Sequence, residues 1–413
     1  MSTEMRSRGT VVVLAGTGIN LALGILYTWS IFKLAIKESI ETGIGGFNWD
    51  PASLNDPYAV CCLIFAFTMI AAGKFQDMMG PRKTAMIGGG LVGAGFLLIS
   101  QSTAYWIWIL GFGLLVGTGL AFGYSAATPA ALKWFPPAKT GKISGIVVSG
   151  FGLASVYIAP LSKYLLNNWG LQDAMLFFGI AFFVIVGGLA NLLKNPPAGF
   201  IPREAAERSA GAQPPESSVP SMQMIRSKNF WVLWTIYFIG AGTGLMVIGN
   251  MAGMAQKSLG EYAFVAVAIL AVGNAAGRIT AGILSDRIGR KTTLISVFIF
   301  QTLLMFFTAP AILYATENAA LLVVLATLIG FNYGANLSLF PSFSKDLWGM
   351  KSFGVNYGIL FTAWGVGGFV MSRLSQTLFA EQGNFTDSLL LAGILLFTGV
   401  MLTLFIKERK GDL

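Results

Sequence analysis

The chain has 413 residues, of which 55% are hydrophobic and only 11% are charged. Soluble globular domains carry about a quarter charged residues, so this composition excludes an ordinary soluble protein and indicates one embedded in a lipid bilayer. The net charge of +9 could suggest a nucleic-acid partner. The basic residues cluster in short segments between apolar runs, so we expect membrane topology, and no nucleic acid, to account for them.

Twelve apolar segments are long enough to cross a bilayer, which takes about 20 helical residues. The sequence therefore predicts an all-α membrane protein of twelve transmembrane helices. In chain order the predicted spans are 11–36, 57–75, 83–102, 105–131, 142–166, 173–194, 229–255, 261–285, 291–314, 317–342, 352–378 and 387–406.

The distribution of Lys and Arg predicts the orientation. Most of the 27 basic residues fall on one side of the membrane if the N-terminus is cytoplasmic. Cytoplasmic loops carry the excess of positive charge, so both termini are expected in the cytoplasm. We expect an integral, multi-pass protein of the inner (cytoplasmic) membrane of a bacterium.

An internal repeat divides the chain. The second span ends in GKFQDMMGPRK and the eighth in GILSDRIGRK, and three pairs are displaced by 209 residues: Gly73 and Gly282, Asp77 and Asp286, and Gly80 and Gly289. This displacement predicts a duplicated six-helix unit with both copies in the same orientation. The predicted domains are 1–194 and 229–413, joined by a Pro-, Ala- and Ser-rich cytoplasmic linker, 195–228.

Arg278 is the residue that most strongly indicates function. It lies eight residues before Asp286, or about 12 Å at 1.5 Å per helical residue, near the middle of the bilayer. A charge at that depth is costly and normally faces a cavity or a partner. Its planar guanidinium can hold a carboxylate through two hydrogen bonds, so we predict an anion site. Pairing with backbone carbonyls or a buried acid is the alternative.

Other polar residues are predicted near that depth. Asn274 lies one helical turn before Arg278, and its amide could bind the substrate or another helix. Tyr124, Tyr333 and Asn336 lie at a comparable depth in the fourth and tenth spans, and Tyr27 lies in the first. Such groups can donate to a small acid, and they can also serve as packing.

The twin motifs on a duplicated set of spans with a central linker resemble the major facilitator superfamily. The resemblance implies a fold of two six-helix halves that transports by alternating access. It also implies a charge network that gates the cytoplasmic side, formed within the repeated loops by Gly73, Asp77, Gly80, Arg82, Gly282, Asp286, Gly289 and Arg290.

Three stretches resemble the monocarboxylate transporters and oxalate/formate exchangers of that superfamily: LYTWSIF (26–32), residues 133–161, and GNAAGRITAGILSDRIG (273–289). The resemblance implies that Arg278 binds the substrate and that Phe151, Phe361 and Trp364 match an aromatic cage. The exchangers have a second cation, a lysine in span eleven, where this chain has Trp364. One fixed positive charge fits a monoanion better than a dianion.

The predicted function is therefore secondary active transport of small monocarboxylates such as L-lactate or pyruvate. We expect proton-coupled symport, with an exchanger of the oxalate/formate type as the alternative. The chain has no His and no mid-membrane carboxylate, so the substrate itself is a candidate proton carrier. An enzyme, a channel and a drug exporter are disfavoured. We expect no cofactor or metal, a functional monomer in the lipid bilayer, and a carboxylate and a proton as partners.

Overall fold

The computed structural model describes residues 3–136, 140–197, 200, 219–314, 318–349 and 352–406. Every regular element within these ranges is helical. Eleven of the described helices are long and apolar enough to cross a membrane. One of them, Thr140–Ala190, is interrupted at Gly170, whose φ of +80° is readily adopted only by glycine. That break yields two spans, so the twelve predicted spans are all present.

We number these spans 1 to 12. The first combines Thr3–Leu23, a 3-10 turn at Gly24–Thr28 and Trp29–Thr42. The fourth combines Tyr105–Trp108, a π-helical stretch at Ile109–Val116 and Gly117–Leu132. The remaining spans of the first half are Asp56–Met79 (span 2), Pro81–Ser100 (span 3) and the two parts of Thr140–Ala190 (spans 5 and 6).

The second half begins after a short helix, Ser221–Arg226. Its spans are Lys228–Leu259 (7), Ala263–Ile288 (8), Arg290–Tyr314 (9), Ala319–Trp348 (10), Phe353–Gln382 (11) and Thr386–Thr403 (12). Most of the predicted linker, 201–218, lies outside the described residues, so the exact domain boundaries stay a prediction.

The two halves meet along two matching helix pairs, span 5 with span 8 and span 11 with span 2. In the first pair, a Cβ built on Gly152 would lie 3.3 Å from the backbone nitrogen of Ala275. In the second pair, a Cβ on Gly365 would overlap Ala66. Ala66 and Ala275 are 209 residues apart, so the contacts repeat with the register of the sequence repeat. Because these glycines have no side chains, the helices of opposite halves can approach each other closely. We call this interface the seam.

The 3-10 turn in span 1 positions Tyr27 in the seam. All five residues of the turn are buried, and a Cβ on Gly24 would overlap the carbonyl oxygen of Phe151 in span 5. A 3-10 stretch within a helix changes the direction of its side chains. Here it lies where Tyr27 meets residues of the second half.

Candidate functional site

Arg278 is fully buried in span 8, and all three of its guanidinium nitrogens donate hydrogen bonds. Its Nε donates to Oδ1 of Asn274 at 2.9 Å. Its Nη1 donates to the carbonyl oxygen of Val148 in span 5, and its Nη2 donates to the hydroxyl oxygen of Tyr27 at 3.3 Å. The arginine therefore bridges the two halves.

No acid among the described residues balances the charge of Arg278. Within the described residues, no carboxylate lies within ion-pair distance of its guanidinium. Three neutral acceptors use three of its five N–H groups, which leaves two for a further ligand. A buried, uncompensated cation is costly, so the arrangement favours reversible binding of an anion.

Asn274 links the arginine to the rest of span 8. It is fully buried, and its Oδ1 accepts from Arg278. Its Nδ2 has no hydrogen-bond partner. A buried amide nitrogen without an acceptor is unusual. It can donate to a bound carboxylate or hydroxyl.

A chain of hydroxyl and indole groups extends from Arg278 through the seam. The hydroxyl groups of Tyr27 and Tyr333 are 2.8 Å apart. Trp364 Nε1 donates to the Tyr333 hydroxyl at 2.9 Å. Tyr27 belongs to the first half, whereas Tyr333 and Trp364 belong to the second. Three of the predicted site residues are thus joined to the arginine in one network.

The predicted aromatic residues pack around this network. Phe151 contacts the edge of the Tyr27 ring, with centroids 5.1 Å apart, and Phe361 stacks on Trp364 at 4.9 Å. Tyr124 contacts Phe151 at 5.6 Å and lies parallel to Phe361 at 6.1 Å. All five rings are buried. Tyr124 therefore packs among these rings, and no described hydrogen bond joins it to Arg278.

Asn336 lies outside the hydrogen-bond network of Arg278. Its Nδ2 donates to the carbonyl oxygen of Asn332 in its own helix. A Cβ built on Gly240 in span 7 would lie 3.1 Å from the Asn336 Oδ1. The structure thus brings Asn336 against span 7 within the second half, and none of its hydrogen bonds reaches Arg278.

A family model of the Major Facilitator Superfamily matches residues 9–372 of the chain, with a second match over residues 246–412. The chain belongs to this superfamily. It is therefore a secondary transporter of the major facilitator type and not an enzyme. The resemblance drawn from the twin motifs is confirmed.

Known members of the superfamily match nearly the whole chain. The uncharacterized MFS-type transporter YhjX of Escherichia coli is 29% identical over 89% of this chain and 88% of its own length. The oxalate:formate antiporter of Oxalobacter formigenes is 27% identical over 98% of this chain and 93% of its own. Monocarboxylate transporter 13 of Rattus norvegicus is 24% identical over 93% and 86%. These matches support the monocarboxylate and oxalate branch of the superfamily.

The repeated loops that follow spans 2 and 8 lie on one face of the transporter, which we call the motif face. Gly80 and Gly289 end their spans with φ of +83° and +88°, a backbone conformation that favours glycine. Arg290 pairs with Asp286 at 2.6 Å and with Asp346 of span 10 at 3.0 Å. This second copy forms a charge network within the second half.

The first copy of the loop motif, which follows span 2, contacts the other half of the transporter. A Cβ on Gly354 at the start of span 11 would lie 3.3 Å from Asp77 Oδ2, and a Cβ on Gly73 would lie 3.3 Å from the Gly354 carbonyl oxygen. Asp77 therefore faces the N-terminus of a helix of the other half, where a negative charge is favoured. Arg82 is exposed, and no described ion pair includes it.

The opposite face of the transporter closes through contacts that the sequence did not predict. Arg373 of span 11 donates from Nη1 to Asp56 of span 2 at 2.8 Å, and the Tyr105 hydroxyl donates to the second carboxylate oxygen at 2.8 Å. Lys33 donates to Oδ1 of Asn250 in span 7 at 2.5 Å. The halves therefore contact each other on both faces, and the candidate site is enclosed between them.

Sequence reasoning also missed Phe65. It is 1% exposed in span 2 and contacts Phe151, Tyr124, Phe361 and Trp364, with centroids 5.2–6.1 Å apart. The internal repeat could have indicated Phe65, because Phe65 lies 209 residues before Asn274 and therefore aligns with this predicted site residue. The Val148 carbonyl could not be found in this way, since its role depends on backbone geometry.

Proposed function

We propose that this chain transports small monocarboxylates, such as L-lactate or pyruvate, by alternating access of its two halves around Arg278. The observation that carries the proposal is the buried guanidinium, held by Asn274, the Val148 carbonyl and Tyr27, with no described carboxylate to neutralise it. A substrate carboxylate supplies the missing negative charge. The printed names of two relatives, an oxalate:formate antiporter and a monocarboxylate transporter, support this substrate class.

A single fixed cation favours a monoanion. Trp364, at the position that resembles the site of the exchangers' second cation, contributes one N–H donor and no charge. A dianion at this site would keep one uncompensated negative charge in a medium of low dielectric, which is costly. Lactate and pyruvate each carry one carboxylate and one further oxygen, which matches Arg278 and the Asn274, Tyr27 and Tyr333 groups.

Transport follows from the contacts on the two faces. Asp77 and Gly354 meet across the seam on the motif face, and Asp56 and Arg373 meet on the opposite face. Rocking of the halves opens one set while the other stays closed. In the proposed orientation the motif face and both termini are cytoplasmic, and the protein acts as a monomer in a bacterial inner membrane.

The proposed coupling is symport with a proton. An empty Arg278 disfavours reorientation because an unpaired charge would cross a closed, dry seam. A carboxylate bound at Arg278 neutralises this charge, so that reorientation depends on loading. The proton is proposed to travel with the substrate. Exchange of one carboxylate for another is the second candidate, favoured by the similarity to the oxalate:formate antiporter over 98% of the chain.

The decisive experiment is uptake of labelled L-lactate into liposomes that contain the purified protein. One set has an inward proton gradient and no internal anion, and a second has internal carboxylate and no gradient. Accumulation that follows the gradient supports symport. Uptake only with internal carboxylate supports exchange. The Arg278→Ala variant should lose uptake by at least about 100-fold, since it removes a charge-assisted bidentate contact.

Arg278→Lys is the companion variant, because lysine keeps the charge but not the planar fork. Partial uptake by Arg278→Lys together with none by Arg278→Ala would assign the role to carboxylate binding. Full uptake by a folded Arg278→Ala protein would refute the proposed site. Absence of carboxylate uptake by the wild-type protein would refute the substrate class.

A further inference from the structure

Five aromatic residues form a closed circuit next to Arg278. Tyr27 contacts Phe151 at 5.1 Å, Phe151 contacts Phe65 at 6.1 Å, and Phe65 contacts Trp364 at 5.2 Å. Trp364 donates to the Tyr333 hydroxyl, and the Tyr333 ring contacts Tyr27 at 5.7 Å. The first three residues belong to the first half and the other two to the second, so the circuit crosses the seam twice before it closes on itself.

The circuit has a polar side and an apolar side. The polar side consists of the Tyr27 and Tyr333 hydroxyls and the Trp364 indole N–H, and Arg278 binds it through Tyr27. The apolar side consists of Phe151 and Phe65, which have no polar atoms. A small acid whose carboxylate binds Arg278 can place its carbon substituent against the apolar side.

Phe65 has a special place on that side because it contacts both halves. Its ring contacts Tyr124 and Phe151 in its own half, and Phe361 and Trp364 in the other. Phe151 contacts no described ring of the second half. Phe65 therefore limits the space between the halves where the substituent would lie.

We propose that Phe65 determines the size of the side group that the transporter accepts on its carboxylate substrate. This inference rests on the proposed carboxylate function. A hydrophobic wall discriminates by the methylene groups it can contact or exclude, with factors of about 10- to 200-fold for each. A bulky ring at position 65 restricts the site to acids with a small group, such as a methyl.

The test compares acids that share a 2-hydroxycarboxylate head and differ in the side group: L-lactate, 2-hydroxy-3-methylbutanoate and 3-phenyllactate. Uptake of labelled L-lactate into proteoliposomes is measured with each unlabelled acid as competitor. In Phe65→Ala, the affinity for the two bulkier acids relative to lactate should rise by about tenfold or more, and Phe65→Leu should give a smaller rise.

A larger side chain should act in the opposite direction. Phe65→Trp should lower the affinity for lactate relative to formate, whose hydrogen substituent needs no space. This variant adds volume where the alanine variant removes it, so an unstable alanine variant would not prevent the test. Opposite shifts of selectivity are not expected from a general loss of stability.

Phe96 provides the matched control. It is fully buried and contacts three phenylalanine rings, Phe112, Phe178 and Phe182, all within the first half. Phe96→Leu and Phe96→Ala should reduce stability and leave the ratio of affinities among the acids unchanged.

The outcomes separate the two proposals. A wild-type protein that transports carboxylates, together with Phe65 variants that keep the wild-type affinity ratios, would refute the role of Phe65 and leave the proposed function intact. A wild-type protein that transports no carboxylate would refute the proposed function, and the assignment of Phe65 would fall with it.

Discussion

Spans 2 and 8 hold equivalent places in the two halves but carry different residues at the seam. Span 8 carries Asn274 and Arg278, whereas the positions 209 residues earlier in span 2 carry Phe65 and Met69. All four residues are buried. One copy of the repeat thus supplies charge and hydrogen bonds, and the other supplies an apolar wall. A duplicated scaffold can thus form a binding site that is polar on one side and apolar on the other when only one copy carries a cation.

The two halves also differ in how tightly these spans are held. A Cβ on any of four glycines at the crossing of spans 8 and 10 would overlap backbone carbonyl oxygens of the facing helix: Gly273, Gly277, Gly330 and Gly334. The equivalent positions of spans 2 and 4 all carry side chains: Ile64, Thr68, Ala121 and Ser125. Backbone contact fixes the helix of Arg278 against the helix of Tyr333.

The largest effect is expected from Gly277→Ala. Its new methyl group would overlap the carbonyl oxygen of Phe331, which as backbone cannot move aside without shifting span 10. Overpacking of this kind costs about 1–3 kcal/mol or more. We expect a lower unfolding temperature in detergent and loss of uptake. Thr68→Ala at the equivalent place in span 2 is the control, and equal unfolding temperatures for the two variants would contradict the comparison.

Asn274→Asp is expected to have the next largest effect. A carboxylate would replace the amide oxygen 2.9 Å from Arg278 Nε and neutralise the guanidinium. The affinity for a carboxylate at neutral pH should fall by about 10- to 100-fold, the value of a charged hydrogen bond.

The pH dependence of that variant has a definite sign. Protonation of the new aspartate restores the net charge at Arg278, so the affinity should recover as the pH falls. Asn274→Leu lacks a titratable group and should stay weak at every pH. Identical pH profiles of initial uptake rates for the two variants would contradict the role of charge at this position.

Trp364→Lys should change substrate preference rather than abolish transport. It places a second cation beside Tyr333, which is linked to Arg278 through Tyr27. We expect the ratio of oxalate to lactate affinity to rise by about tenfold, the value of one additional charged hydrogen bond. Trp364→Leu removes the ring without adding charge and should leave that ratio near the wild-type value. An unchanged ratio in Trp364→Lys would show that charge number does not set the preference.

Asp56→Asn is expected to have the smallest effect. The pair with Arg373 crosses the seam, but Arg373 is 51% exposed, and such pairs contribute about 0.2–1 kcal/mol. Its loss should shift the protein modestly toward the state that is open on the face opposite the motif face. Asp50→Asn is the control, because Asp50 lies in the preceding loop and caps its own short helix, Pro51–Ser53.

The measurement is the labelling rate of a single cysteine at Leu245, a fully buried position of span 7 whose carbonyl accepts from Tyr58 across the seam. Cys61 and Cys62 are first replaced by alanine. Faster labelling by a membrane-impermeant reagent is expected in Asp56→Asn and not in Asp50→Asn. Equal rates in both would show that the ion pair does not help to close this face.

Much of this architecture could be predicted from sequence because the bilayer restricts the choices. Helical spans are among the few structures that satisfy every backbone hydrogen bond in lipid, so apolar runs of sufficient length report them directly. The break between spans 5 and 6 was predicted from composition, although one helix runs through 140–190 with only Gly170 outside helical geometry. The candidate site was only partly predictable, since Tyr27 and Trp364 were named while Phe65 and the Val148 carbonyl were not.

The sequence by itself determined the twelve spans, the repeat and the presence of one cation at membrane depth, because hydropathy, periodicity and charge are properties of local segments. Tertiary structure alone decided which groups meet that cation. The Val148 carbonyl, the Tyr27 hydroxyl and Asp56 with Arg373 come together only when the halves pack against each other. Side-chain contacts across a seam depend on helix rotation and distance, which glycine packing sets at each crossing. That is why Arg278 could be identified from the chain, whereas its partners in span 5 and the wall at Phe65 could not.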